Sequence, residues 1–288
     1  DAAGQPLMNG VLYGVDTRAA DEIDLLNAEI GVETILQRCG NALTSQAVGP
    51  KILWLRHQRP ELWAKTAKIV TSTTYLTWKL TGRFVIDHYT ASTFAPLYDI
   101  SRQDWCLDLA DICPTAMLPS LMWSGEIAGA VSAAAARETG LAMGTPVICG
   151  TIDAAAEAVS VGVAEPGDMM MMYGSTIFII EIAQKRLTDP RLWHAPWLVA
   201  GQHAAMAGLA TSGTLTPWFR DQFARDLPKD TAFATLTAEA NATPPGANGL
   251  ICLPYFSGER TPIHDSHAKG AFFGLNLTHD RGAMYRAA

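Results

Sequence analysis

Cysteine is scarce in this chain and badly placed for cross-linking. Five residues, Cys39, Cys106, Cys113, Cys149 and Cys252, are scattered over 288 positions without a CxxC pair. An odd, dispersed set argues against a disulfide framework and predicts a reduced, cytoplasmic setting. No apolar run approaches the roughly 20 residues that span a bilayer, so no membrane partner is expected. Clusters of Lys and Arg are missing too. With 28 acidic against 21 basic residues and a net charge of -7, the chain lacks the concentrated basic surface that nucleic acid requires. Several catalytic signatures are absent as well. There is no GxSxG elbow for a serine hydrolase, no GxxxxGK[ST] phosphate loop and no GxGxxG after a strand.

What is present is a well-filled globular pattern. Hydrophobic residues make up 49% and charged residues 17%, and the length suits about two domains. Ile23, Leu26 and Ile30 share one face of a helix expected over Ala19 to Ile30. A strand is expected over Val11 to Val15, a short helix over Lys51 to His57 and a long helix over Pro60 to Leu80. Gly82 stands at the C′ position of that last helix. Asp87 falls inside a strand-and-loop stretch from Phe84 to Ala95. Helical segments are expected around Trp105 to Asp111 and over Ala130 to Thr139. Gly144 marks the expected boundary between a first domain, 1–143, and a second, 144–288. Helices follow near Leu215 and over Ala232 to Ala240, with a strand over Leu250 to Tyr255. Strands alternating with helices predict an α/β layered fold. The chain opens at Asp1 without Met and stops inside a helical pattern at Ala288, which predicts a piece of a longer protein.

The densest chemistry lies between Thr145 and Glu181. A strand, Pro146 to Cys149, ends in Gly150-Thr151-Ile152-Asp153, and an Ala-rich helix follows. Then come a strand over Met169 to Tyr173, a tight loop of Gly174, Ser175 and Thr176, and a returning strand. Four consecutive Met residues fit a strand buried on both faces. Asp153 at a strand end can take a hydroxyl proton, and a small hydroxyl-rich loop can hold phosphate oxygens, and phosphoryl transfer needs little else from a protein's side chains. Each also has an ordinary reading, Asp153 as a helix cap and Gly174 to Thr176 as a hairpin loop. Asp16 and Arg18 offer a charge pair for substrate hydroxyls, or a loop salt bridge. Glu259-Arg260 is a site or an internal ion pair. His264 and His267 have no third soft ligand nearby, so they read as a solvated loop rather than a metal site.

Four stretches taken in order resemble the FGGY carbohydrate kinases. They are Leu12 to Ala19, Pro50 to Leu55, Gly150 to Asp153 continuing to Gly174-Ser175-Thr176, and Pro254 to Pro262 continuing through Gly270 to Leu275 and His279. The resemblance implies the actin/hexokinase/Hsp70-like ATPase fold, which is ribonuclease H-like, with two lobes that are both incomplete in this chain. It implies Asp153 as the catalytic base and Gly174, Ser175 and Thr176 as the contact to the ATP phosphates. Asp16, Arg18 and Asp87 match regions lining the sugar cleft, and the Glu259 to Pro262 segment an architectural signature. ATP and Mg²⁺ are the implied cofactors, with no metal ligand assigned within this chain. A ketopentose or related polyol is the implied partner, as in xylulose and ribulose kinases, and a homodimer is allowed. The family's N-terminal phosphate hairpin and C-terminal adenosine site do not match anything here. Three alternatives stand beside this reading. They are an inactive sugar-binding relative, a glycerol or other polyol kinase, and an actin-like assembly protein.

Overall fold

A computed structural model describes residues 1–13, 16–263, 265 and 267–288 of the protein. Among the described residues five helices precede the first strand, four strands from Met169 to Leu209 follow one another without a helix between them, and contacts divide the chain into two units. One comprises Asp1–Met169 and Glu181–Ala205, the other Met170–Ile180 and Met206–Ala288.

In the first unit, helices Ala20–Ile30, Val32–Cys39 and Val48–Gln58 supply one apolar side each. Leu26, Ile35, Ile52 and Leu53 meet Phe94 and Tyr98 in one buried cluster. Each such side chain contributes about 1.5–3 kcal/mol relative to exposure. The Val32–Cys39 helix is absent from the sequence reading; Gly31, at φ 89, separates it from its neighbour.

The long helix expected over Pro60 to Leu80 is broken. A single turn, Pro60–Trp63, is followed by an extended stretch, and a second helix runs over Ser72–Thr81. Tertiary contacts explain the break. The amide of Ile69 donates to the Met117 carbonyl at 2.9 Å, and Lys68 Nζ to that of Ala116 at 2.7 Å. Thr71 then restarts the helix as its cap, its hydroxyl accepting from the Thr74 amide at 3.2 Å. Gly82 ends it in the left-handed conformation, φ 80. Thr71→Ala is expected to lower stability by about 1 kcal/mol, read as a shift in urea midpoint at unchanged slope.

The helix expected around Trp105 to Asp111 is replaced by a short strand and one 3₁₀ turn. Asp104–Trp105 pairs with Tyr98–Asp99, and Leu107–Leu109 makes the turn. Burial of the indole decides this. Trp105 Nε1 donates to the Pro119 carbonyl at 2.9 Å, and its ring meets Phe94 and Tyr98 edge-on. Of the strand expected over Val11 to Val15, residues 11–13 are not in strand conformation, and Gly14 and Val15 lie outside the described residues.

Two short pairings place the residues of interest. Val85–Asp87 runs parallel to Ser120–Met122, and Ile127–Ala130 antiparallel to Pro146–Ile148. A four-stranded sheet has the order Met169–Tyr173, Ile177–Ala183, His203–Leu209, Trp193–Pro196. The division between the units falls within three of these strands. The methionine strand is at the sheet's edge, and only Met170 is buried. Met169, Met171 and Met172 are exposed, so the expectation of burial on both faces is corrected. An apolar run specifies a strand without specifying what covers it.

In the second unit, helices Leu215–Phe223, Ala232–Ala242 and Arg281–Ala287 gather around Phe219, Leu236 and Ala224, with Tyr285 against them. Arg281 spans Asp226 and Glu239 and ties the last helix down. Among the described residues no helix is long and apolar enough to cross a membrane.

Candidate active site

Asp153 sits where its sequence context put it, at the start of the helix Asp153–Ser160. Two backbone bonds secure the approach: the Cys149 amide donates to Glu126 at 2.9 Å, and the Gly150 amide to Ser124 at 3.0 Å. The cap position falls to Ile152, whose side chain caps nothing, so Asp153 is the first helical residue. Its Oδ1 accepts the adjacent Ala154 amide at 2.8 Å, and the residue is exposed. Among the described residues no other side chain pairs with it. A carboxylate held by one local bond, at the positive end of a helix, is open to an incoming hydroxyl.

Asp87 is turned inward, with 2% exposure. Its Oδ2 accepts from Ser124 Oγ at 3.0 Å and Thr151 Oγ1 at 2.8 Å, and its Oδ1 from the Thr90 amide at 3.4 Å. Thr151 lies two residues before Asp153. One buried carboxylate at the end of Val85–Asp87 therefore ties the segment after Ser120–Met122 to the turn that leads into Asp153. Burial pushes the Asp87 carboxyl up, against the lowering effect of these hydrogen bonds. A carboxyl raised in the folded state favours folding at low pH. That contribution is lost as pH rises from the ordinary Asp range, about 3.9, through the raised folded value. Asp87→Asn is therefore expected to gain stability relative to the parent as pH increases across that window. Parallel urea melts at several pH values check it; parallel stability curves for the two proteins contradict it.

Tyr89 is a buried residue that the sequence did not single out. Its phenol is buried and pushed up in pKa by burial first, then by Tyr13, Asp87 and Asp153.

Asp16 and Arg18 form a bidentate pair. Arg18 Nε approaches Asp16 Oδ1 at 2.8 Å, and Nη2 approaches Oδ2 at 2.6 Å. The Arg18 guanidinium holds the Asp16 carboxyl below the usual range and itself stacks over the Trp54 ring at 4.8 Å. Asp16 also lines an open, mainly apolar hollow of about 200 Å³ with Ala19, Ile23, Ala47, Pro50 and Lys51. Lys51 Nζ donates to the Leu12 carbonyl at 3.0 Å.

In the second unit, Gly174, Ser175 and Thr176 form the expected tight loop, the Gly174 amide donating to the Thr176 carbonyl at 2.9 Å. A second loop, unforeseen, is laced to it. The Ser212 amide donates to Ser175 at 3.1 Å, the Gly213 amide to Gly174 at 2.9 Å and Thr214 Oγ1 to Ser175 at 3.1 Å. A Cβ on Gly213 would stand 2.5 Å from the Gly174 carbonyl oxygen, so only glycine allows this approach.

The ion pair suggested for Glu259-Arg260 is not how Glu259 is held. Glu259 is buried, and its Oε1 accepts the amides of Ala210 at 2.9 Å and Arg260 at 2.6 Å. His264 lies outside the described residues. The amide of His267 donates to Asp265 Oδ1 at 2.7 Å, an ordinary loop bond. Among the described residues no three His, Cys, Asp or Glu side chains gather to hold a metal ion. No step below passes through the metal.

The sequence profile described as FGGY family of carbohydrate kinases, N-terminal domain, matches residues 1–160, and that of the C-terminal domain matches residues 169–288. Xylulose kinase of Escherichia coli is 29% identical over 294 residues, covering 100% of this chain and 58% of its own length. Gluconokinase of Bacillus subtilis is 27% identical over 298 residues, with the same coverage, 100% and 58%. The crystal structure of xylulose kinase from Rhodospirillum rubrum superposes with a TM-score of 0.88 at 35% identity, over 95% of this chain and 55% of that one. Plasmodium falciparum glycerol kinase with ADP, at 21% identity and a TM-score of 0.84, shows the same fold. The chain spans somewhat over half the length of these relatives. Its α/β architecture is the actin/hexokinase-like ATPase fold of these sugar kinases. Both halves of the chain, by sequence and by fold, belong to the FGGY family of carbohydrate kinases.

Proposed function

We propose that this chain carries the catalytic base and a phosphate loop of an ATP-dependent carbohydrate kinase acting on a terminal hydroxyl of a ketopentose. The observation that carries the reading is Asp153, an exposed carboxylate with one local bond, at the start of a helix whose preceding turn is anchored to a buried acid through Thr151. Asp153 accepts the proton of the attacking hydroxyl. General bases of this kind contribute about 100-fold to 10,000-fold. Gly174, Ser175 and Thr176 supply amides and hydroxyls to the phosphate oxygens of ATP, where charge develops in transfer. Magnesium enters with the triphosphate in this reading.

Asp16 and Arg18 are assigned to the sugar. Locked to each other, they form a preset charged unit, with Asp16 at the edge of the mainly apolar hollow. Asp87 is assigned a supporting role in place of sugar contact, because its carboxylate is buried and occupied by protein donors. A reduced, cytoplasmic setting is part of this reading, on the odd number and scatter of the five cysteines.

The choice of ketopentose rests on the xylulose kinases of Lactococcus lactis, Escherichia coli and Bacillus subtilis among the relatives. ADP formation by the native protein containing these residues, across ketopentoses, gluconate and glycerol, tests it. The highest kcat/KM is expected for a ketopentose. Preference for gluconate or glycerol overturns the acceptor. Sugar binding without phosphoryl transfer to any acceptor favours an inactive sugar-binding protein.

A further inference from the structure

Glu259 is buried in the second unit, yet its carboxylate meets no cation among the described residues, and its Oε2 has no hydrogen-bond partner there. A buried acceptor left unpaired costs about 1–3 kcal/mol, so its presence calls for a physical reason. Its Oε1 supplies one. By accepting the Ala210 amide it holds the chain just after the strand His203–Leu209. Neighbours on the same segment hold adjacent points. Thr261 Oγ1 accepts the Gly208 amide at 2.7 Å and donates to the Gly208 carbonyl at 3.0 Å. The Ser257 amide donates to Thr211 Oγ1 at 3.2 Å. Residues 257–261 thus clamp Gly208, Ala210 and Thr211. The next three residues, Ser212, Gly213 and Thr214, are the ones that bond Gly174 and Ser175.

We propose that Glu259 is a positioning residue for the Gly174–Thr176 loop, acting through Ala210 and the Ser212–Thr214 loop, and that it governs affinity for the triphosphate and not for the sugar. This rests on the phosphate-loop reading above. Glu259 touches no phosphate itself. Its effect passes down a chain of backbone bonds, each of which fixes the next residue in line. Removing the side chain frees Ala210, and the loop beyond it loses its fixed starting point.

Amide hydrogen exchange on the chain, with ATP titrations, tests the proposal through Glu259→Ala and Glu259→Gln. In Glu259→Ala, exchange at Ser212 and Gly213 is expected to accelerate at least about tenfold, while amides of the Leu215–Phe223 and Ala232–Ala242 helices keep their protection. ATP affinity falls about tenfold and sugar affinity is unchanged. Glu259→Gln, which keeps the acceptor, stays near the parent in both. Thr211→Val, which loosens the clamp at one point, gives the same pattern more weakly should Glu259→Ala not fold. Unchanged exchange at Ser212 and Gly213 overturns the proposal. So does acceleration spread evenly over the unit's helices, which marks a purely structural role. Separately, ATP should protect the amides of Gly174 to Thr176 in the parent. Failure of that protection alone removes the phosphate assignment and leaves the exchange data to decide whether Glu259 positions the loop.

Discussion

Replacing Asp153 with Asn is expected to slow phosphoryl transfer at least about 100-fold while leaving sugar affinity within about twofold. Asn keeps the shape, and its Oδ1 can still accept the Ala154 amide that Asp153 accepts at 2.8 Å. It cannot take a proton. The rival explanation is loss of charge at a helix start. That effect is worth about 0.3–1 kcal/mol and acts on stability. A 100-fold loss of rate corresponds to about 2.7 kcal/mol, too large for the helix term. The two separate cleanly in experiment. A kcat loss with an unchanged melting temperature supports the base. A lower melting temperature with near-parent kcat returns Asp153 to a structural role.

Gly213→Ala is expected to weaken ATP binding about thirtyfold, with sugar affinity unchanged. The new Cβ would lie 2.5 Å from the Gly174 carbonyl oxygen and 3.2 Å from its carbonyl carbon. Both opposing atoms are backbone, so no side chain can rotate away. The two loops must part, and the bonds from Gly213 to Gly174 and from Ser212 to Ser175 stretch or break. Overpacking of this kind costs about 1–3 kcal/mol. Here the cost lands on the loop assigned to the phosphates. Calorimetric titration with ATP checks it. Unchanged affinity would mean that the Gly174–Thr176 loop tolerates displacement and is not shaped for a ligand.

Local signals were legible in the sequence and distant partners were not. Asp153 could be found because an apolar strand, a Gly-Thr turn and an Ala-rich helix are consecutive in the chain. Its support could not. Thr151 and Asp87 are 64 residues apart, and Glu259 and Ala210 are 49 apart. No periodicity encodes which buried acid meets which hydroxyl across such distances. The salt-bridge reading of Asp16 and Arg18 was available because the partners are two residues apart. Pro60 to Leu80 looked like one helix because its apolar spacing continues. What divides it is the pairing of Ile69 with Met117, again non-local. Gly213 carried a faint signal, a Thr-Ser-Gly-Thr run, whose meaning depends on Gly174 lying against it.

The most direct test of the account is ketopentose-dependent ADP formation by the native protein containing these residues, measured beside its Asp153→Asn variant. The account predicts sugar-dependent turnover in the parent and a rate at least about 100-fold lower in the variant, with sugar still bound. Equal rates in the two proteins, or ADP formation indifferent to sugar, would contradict it.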